Sequence, residues 1–342
     1  MRKILLGFLI SLIWTLSVGA QTPFYQGKTV TIIVGNKAGD AYDLYARLVG
    51  HHMTKNIPGN PNIIAQNMPG AASLIAANYV YNVSKPDGLT VGAIYPALYF
   101  DQLIGRKEVK FDWSKFNWIG APAPLNQLLY MRADTPYKSM DDVRNSAEPP
   151  KCGATGSTST AYYLPKLFEQ VIGTKFNIVA GYVSGGDIDL AVERGEVICR
   201  AFSISAYFAR EPFTSWRKKG FVRVMAQTGK KRDSRLPDVP TIYELMDRYK
   251  TPETGRRLAT LVLAAGDFGR PYVLPPNTPA DLVKILREAF TKTLNEPPVI
   301  EDAQKKRMEI DAVPGEELEA LAKEVIDQPA EVVQQMRKML GK

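Results

Sequence analysis

Two cysteines and two histidines are all that these 342 residues contain of either type, and that scarcity removes several kinds of protein at once. Cys152 and Cys199 are too few for a disulfide scaffold, and their spacing matches no zinc pattern. Both lie in apolar, strand-like segments, so they admit either one disulfide in an oxidising compartment or two buried thiols. His51 and His52 are adjacent and point apart on a helix, which argues against a metal pair. They also fall at the far end of the first predicted helix, so no imidazole stands ready as base for a serine nucleophile. No Gly-x-Ser-x-Gly elbow, P-loop or dinucleotide fingerprint occurs. Asp187 and Asp189 lie two apart and face different ways if helical. The reading is a protein that is not an enzyme, with no catalytic residue, metal or cofactor assigned.

Other absences narrow the class further. No low-complexity tract suggests disorder. Beyond the first twenty residues no apolar run is long enough to cross a membrane. The formal charge is +8, but the basic residues are scattered. They cluster only at Arg217-Lys218-Lys219, Lys230-Lys231-Arg232 and Lys305-Lys306-Arg307, with no basic helix or aromatic–basic repeat. Solvated surface charge, not nucleic-acid binding, is the expectation.

What is present begins with an export signal. Arg2-Lys3 precede an apolar run from Ile4 to Val18, and Val18 and Ala20 are small enough for a signal peptidase. Residues 1–20 read as a secretory signal peptide cleaved after Ala20, so the mature protein is expected to be soluble and exported. No cysteine follows the cleavage point, so a lipid anchor is not expected. Loss of Arg2 and Lys3 takes two charges off the total.

The stretch Val34–Arg47, VGNKAGDAYDLYAR, organises the rest. It joins a buried strand, Val30–Val34, to a helix through a small-residue loop. Such a loop offers free N–H groups and the positive end of a helix dipole to an anion. A second strand, Asn62–Asn67, repeats the pattern through Met68–Ser73 into a helix, Leu74–Val83. The Pro86-Asp87-Gly88 turn and a strand from Leu89 to Ile94 complete a βαβαβ unit. Right-handed crossovers would set both loops on the carboxyl edge of one parallel sheet. After an aromatic stretch, 111–123, a strand from Leu125 to Met131 begins a second unit. It continues with a strand Lys151–Ala154, a hydroxyl-rich loop Thr155–Thr160, a helix Ala161–Ile172 and a strand Phe176–Ala180. A helix opened by Ser184-Gly185-Gly186-Asp187 follows. A strand from Val197 to Phe202 then ends in Ser203-Ile204-Ser205, and a strand from Phe221 to Ala226 returns the chain. The tail reads as a helix Ile242–Tyr249, a strand Leu261–Ala265, a helix Ala280–Asn295 capped by Thr278, and a last helix Pro314–Met339. Two α/β lobes follow, residues 21–122 plus 227–342 and residues 123–226, hinged to close on a ligand.

Within the loops several roles stay open. Asp43 either organises the first loop or is a first-turn acid held by the dipole. Arg47 is expected to pair with a carboxylate on its own helix or beneath the sheet, with direct ligand binding as the minority alternative. Tyr42 and Tyr95 either wall a pocket or belong to the core. The hydroxyls at 155–159 exceed what a helix cap needs, which favours ligand contact.

Five short motifs stand in order: Gly39, Asp43 and Ala46-Arg47; Asn67-Met68-Pro69-Gly70-Ala71; Pro86-Asp87-Gly88; Pro237–Thr241 with Glu244; and Thr278-Pro279-Ala280. Together they resemble, nearly end to end of the mature chain, the periplasmic substrate-binding proteins of tripartite tricarboxylate transporters, the Bug-type solute receptors. The resemblance implies a type II periplasmic binding fold and a receptor that captures a small organic acid by hinge closure. It implies delivery to the membrane permease subunits of a tripartite transporter. The ligand carboxylate would meet amides and hydroxyls of both lobes, often through water. By position, the first lobe would supply Asn36, Lys37, Gly39, Asp40, Asp43, Ala71, Ala72 and Ser73, with Tyr95 beside them. The second would supply Thr155, Ser157, Thr158 and Ser159, then Gly185, Gly186 and Asp187, with Ser203 and Ser205 closing the cleft. Three departures stand out: Gly35-Asn36 replaces a Pro-aromatic pair, Asp40 replaces a second glycine, and Tyr182-Val183-Ser184-Gly185 lacks a lysine. Asp40 either opposes the ligand's charge, offset by Lys37, or caps the helix. A monomer is expected. The alternatives are a receptor that reports to a membrane sensor and, behind it, a secreted hydrolase.

Overall fold

A computed structural model describes residues 22–155, 159–182 and 185–339. Residues 1–20, read above as a signal peptide, and the hydroxyls of Ser157 and Thr158 lie outside the described residues. Among those described, no helix is long and apolar enough to cross a membrane.

The β-branched run TVTIIV forms β1 (Thr29–Val34) at the centre of the first parallel unit. It pairs in parallel with β2 (Asn62–Asn67) on one side and β3 (Thr90–Ala93) on the other. The crossovers carry α1 (Ala41–Met53) and α2 (Leu74–Asn82), and α3 (Leu98–Leu103) follows β3. Next in the chain comes β4 (Asn117–Ala121), which the sequence presents only as an aromatic stretch. The first sheet has the order β11-β4-β10-β3-β1-β2, the last two strands by sequence being β10 (Tyr272–Leu274) and β11 (Val313–Pro314). Three and two residues are too short to leave a pattern of alternation, so neither strand is visible in the sequence.

The second sheet has the order β7-β6-β8-β5-β9. Its strands are β5 (Gln127–Arg132), β6 (Lys151–Ala154), β7 (Asn177–Ala180), β8 (Cys199–Ser203) and β9 (Val222–Gln227). Between them run α4 (Met140–Asn145), α5 (Thr160–Ile172), α6 (Gly185–Arg194), α7 (Ile204–Ala209) and α8 (Phe213–Lys219). Strand β6 lies parallel to both β7 and β8, and Cys152 faces Cys199 across the β6–β8 pair, Cα to Cα 4.4 Å. The two cysteines form a disulfide, which restricts the unfolded chain over a 47-residue separation.

The remaining helices are α9 (Ile242–Arg248), α10 (Glu253–Phe268), α11 (Ala280–Leu294), α12 (Pro297–Lys305), α13 (Gly315–Ile326) and α14 (Ala330–Met339). Three expectations are corrected here. The strand read at Leu261–Ala265 is the middle of α10, whose residues 261–264 are all buried because α5, α13 and α14 surround it. A short apolar run reads alike as a buried strand or a helix sandwiched by others. The single terminal helix is two, because Pro329 cannot continue one and the break falls just before it. Thr278 does not cap α11: its hydroxyl donates to Pro275 O at 2.9 Å, and Pro279 takes the cap position.

The largest core runs through both lobes, with α10 as its spine. At its C-terminal end Phe268 stacks on Trp118 at 4.9 Å, within the first-sheet aromatics, and Tyr99 Oη donates to Leu261 O at 2.6 Å. At its other end the chain lies on second-sheet helices. Thr251 bonds Val171 O on α5, and Arg248 and Tyr249 both reach Asp141 on α4. Helix α10 and the residues leading into it therefore touch both lobes.

Candidate functional site

Strand directions decide which edges of the two sheets meet. Because β10 is antiparallel to both β3 and β4, β4 runs parallel to β3 and ends on the carboxyl edge of the first sheet. Residues 122–126 then lead to β5, whose first residue, Gln127, pairs with Ser203 at the end of β8. That is the carboxyl edge of the second sheet. Strand β9 also ends there, and β10 begins at the first-sheet edge, Tyr272 opposite Ala93. Every crossing between the sheets joins carboxyl edge to carboxyl edge, so the loops after β1, β2 and β3 share a cleft with those after β6, β7 and β8.

On the first-lobe wall, Gly35 is required because a side chain there would collide with Ser73 Oγ. That approach lets Asn36, Tyr95 and Ser73 form one cluster. Asn36 is buried and donates from Nδ2 to Tyr95 Oη at 3.0 Å, while its backbone carbonyl accepts from Asn67 Nδ2 at 3.0 Å. Its Oδ1 is buried with no hydrogen-bond partner among the described residues. Tyr95 N donates to Ser73 Oγ at 3.2 Å, and the Tyr95 ring meets that of Tyr42 edge-on at 4.8 Å. Below them, Gly70, Ala71, Ala72 and Ser73 have φ of 147°, 44°, 52° and 73°. Left-handed conformations at three consecutive non-glycine residues cost about 1 kcal/mol or more each, and such strain gathers at ligand sites. Ala71 and Ala72 are exposed at the edge while Ser73 is buried.

Asp43 is the organiser of this loop. Its carboxylate accepts from Gly39 N at 2.9 Å, from Asn67 Nδ2 at 2.9 Å and from Arg47 Nε at 2.9 Å. Burial alone would raise its pKa, but the Arg47, Gly39 and Asn67 bonds together hold it below the usual carboxylate range. Arg47 thus pairs on its own helix. Asp40 is the N-cap of α1 and accepts from Tyr42 N at 3.1 Å, so its carboxylate serves the helix end. Lys37 is exposed on the same loop.

On the second-lobe wall, Thr155 follows β6 and Ser159 takes the N-cap position of α5. Gly185, Gly186 and Asp187 form the first turn of α6. Behind them Arg200, buried on β8, donates to Gly185 O at 2.8 Å and to Asp189 Oδ1. The guanidinium fills the space a side chain on Gly185 would need. Tyr130 Oη also donates to Asp189 Oδ1, at 3.1 Å, and Arg210 lies 3.5 Å from its other oxygen. Ser203 and Ser205 hydroxyls lie 2.7 Å apart, and Ser203 caps α7.

One cation escapes the sequence reading. Arg270 lies in the Gly269–Pro271 segment that enters β10, held to the end of β3 by Ile94 N donating to Pro271 O at 3.4 Å. Its guanidinium carbon stands 4.5 Å from the Tyr45 ring centre and 5.8 Å from that of Tyr42. A strand placed at Leu261–Ala265 hides this residue; Gly-Arg-Pro ahead of a short apolar run is the one signal the sequence offered.

A cavity of about 640 Å³ also opens along the hinge, lined by Asn126, Ser205, Lys230, Asp267 and Glu309 among others. Only Ser205 of the expected residues borders it. Arg235 there is tied to both Asp233 and Glu309, and Arg232 to Glu244. Burial pushes the Asp267 carboxyl up to about 6, against the pull of Lys230. Both arginines there are committed to carboxylates, and none of the loops after β1, β2 and β3 lines the cavity, so the facing loop edges are kept as the candidate site.

Two α/β lobes with their loop edges on the same side, joined by one short crossing and one that carries α9 and α10, define a solute-binding receptor with the type II periplasmic binding fold. The chain belongs to the tripartite tricarboxylate transporter family receptors (TctC), whose model matches residues 45–337. The match begins just past Asp43, so the first loop lies ahead of it. A UPF0065 protein in the gbd 5′ region of Cupriavidus necator is 26% identical over 295 residues, 85% of this chain and 82% of its own. The ligand-free TctC solute-binding protein from Polaromonas superposes with a TM-score of 0.72 at 20% identity, covering 93% of this chain and 99% of that one. An R. palustris protein with adipate gives a TM-score of 0.57 at 19% identity, covering 92% and 98%. The family and its structural neighbours are receptors, not enzymes.

Proposed function

We propose that the mature, exported protein captures a small organic acid in this cleft by hinge closure and delivers it to a tripartite tricarboxylate-type permease. The observation that carries the carboxylate reading is the left-handed turn at Gly70–Ser73 packed beside the buried Asn36–Tyr95 pair. It gathers amides and a hydroxyl at one sheet edge, where an anion is bound cheaply. Adipate in a relative of the same fold agrees with it. The moving bodies are 21–122 plus 227–342 against 123–226, and α9 and the start of α10 also pack on helices of the second sheet. Ligand binding shifts a pre-existing open–closed equilibrium. The working unit is a monomer.

A thermal-shift screen of mono-, di- and tricarboxylates, aromatic acids included, tests the ligand class. At a hundredfold excess over Kd a bound acid adds about 2.7 kcal/mol of stability, a rise of several degrees in Tm. No shift with any acid at millimolar concentration would contradict the carboxylate assignment.

A further inference from the structure

The cleft needs positive charge to hold an organic acid from bulk water, and the expected residues supply little of it. Arg47 is committed to Asp43 and Arg200 to Asp189. Arg210 stands 3.5 Å from Asp189. Lys37 is an exposed ammonium on a loop.

Arg270 differs from all of these. Among the described residues it forms no salt bridge and no hydrogen bond to a carboxylate, and its Nε is buried with no partner. A buried guanidinium nitrogen without a partner is costly to keep and calls for an explanation. Glu309 feels the charge of Arg270, but its carboxylate is bonded to Arg235 at 2.9 Å. The flat faces of Tyr42 and Tyr45 hold the guanidinium, which leaves its N–H edge for an acceptor in the plane. The residue is placed by backbone on the carboxyl edge, next to β3. Along that edge run Arg270, Tyr42, Tyr95 and Asn36, each in ring or hydrogen-bond contact with the next.

We propose that Arg270 is the ligand's cationic partner: its guanidinium takes one carboxylate of the bound acid in a bidentate pair at the hinge end of the cleft. This rests on the carboxylate reading above. A ligand with a second carboxylate then spans the cleft. One end pairs with Arg270, and the other meets the amides of Gly70–Ser73 and the second-lobe loops. Tyr42 and Tyr45 act as a rigid support that presets the planar group and reduces the ordering cost of binding. The closed cleft removes water from the pair, so the charge contributes most in the bound state.

The test uses the mature protein and its Arg270→Gln and Arg270→Lys variants, titrated calorimetrically with succinate, malate, adipate, citrate and adipic acid monoamide. Wild type binds at least one diacid or triacid and favours adipate over its monoamide. Arg270→Gln weakens the preferred acid about 30-fold or more and loses the preference for diacid over monoamide. Arg270→Lys recovers only part of the affinity, because an ammonium does not reproduce the planar fork. A purely supporting role under the tyrosines gives the opposite pattern: a lower Tm for Arg270→Gln with the acid preference unchanged, which overturns the assignment alone. If wild type itself binds none of the acids, the carboxylate reading falls and the role of Arg270 with it.

Discussion

Replacing Arg200 by methionine will destabilise the protein by about 3–5 kcal/mol, the range for removing one partner of a buried ion pair. Asp189 is buried on α6, Arg200 is buried on β8, and the pair is backed by Tyr130 at the centre of the second lobe. Without the guanidinium, Asp189 keeps Tyr130 Oη and a longer approach from Arg210, and Gly185 O loses its donor. The double variant Arg200→Met, Asp189→Leu removes both charges and should recover most of that loss, since a buried pair often exchanges for apolar groups without penalty. Urea unfolding of the three proteins measures both effects. A loss below about 1 kcal/mol for Arg200→Met would mean that the pair carries little. The same variant frees the first turn of α6 and should also weaken ligand binding, because that turn forms part of the second-lobe wall.

Asp43→Ala has the next largest effect. It strips the carboxylate from Gly39 N, Asn67 and Arg47 together, at about 2–3 kcal/mol for the donors left without an acceptor. The first-lobe loop then loses its shape, and affinity for the acid should fall more than stability does. Asp43→Asn keeps the volume and one acceptor, and should lie between. The pH dependence has a definite sign. The folded carboxyl sits below its unfolded value, so its contribution is complete above the usual carboxylate range and is lost as pH falls through the lowered value. Unfolding followed from neutral pH into acid should show a loss in wild type that is absent in Asp43→Ala. Equal acid sensitivity in both would remove Asp43 from this role.

The parts of the fold that were legible in the sequence are those where local chemistry dictates the answer. The β-branched runs of β1 and β2 and the glycine-bearing loops after them are visible because strand, turn and helix each leave a local pattern. Helix α10 was not, since its burial comes from α5, α13 and α14, far away in sequence. The site divides in the same way. Asp43 and Asp40 sit at positions where helix-start chemistry assigns acids, so their roles are readable, and the structure selects the organiser reading for one and the cap for the other. The left-handed run at Ala71–Ser73 is invisible, because alanine and serine carry no signal for positive φ. Arg270 was missed because its place on the edge depends on β10, a three-residue strand fixed by its partners β3 and β4.

Small-angle X-ray scattering of the mature protein, with and without a saturating concentration of the acid found by the thermal screen, tests the central claim of closure on a ligand most directly. The account predicts a smaller radius of gyration and maximum dimension on binding, as the two sheets approach across the cleft, reversed when the acid is removed. A saturated protein whose scattering curve matches that of the free one would contradict it.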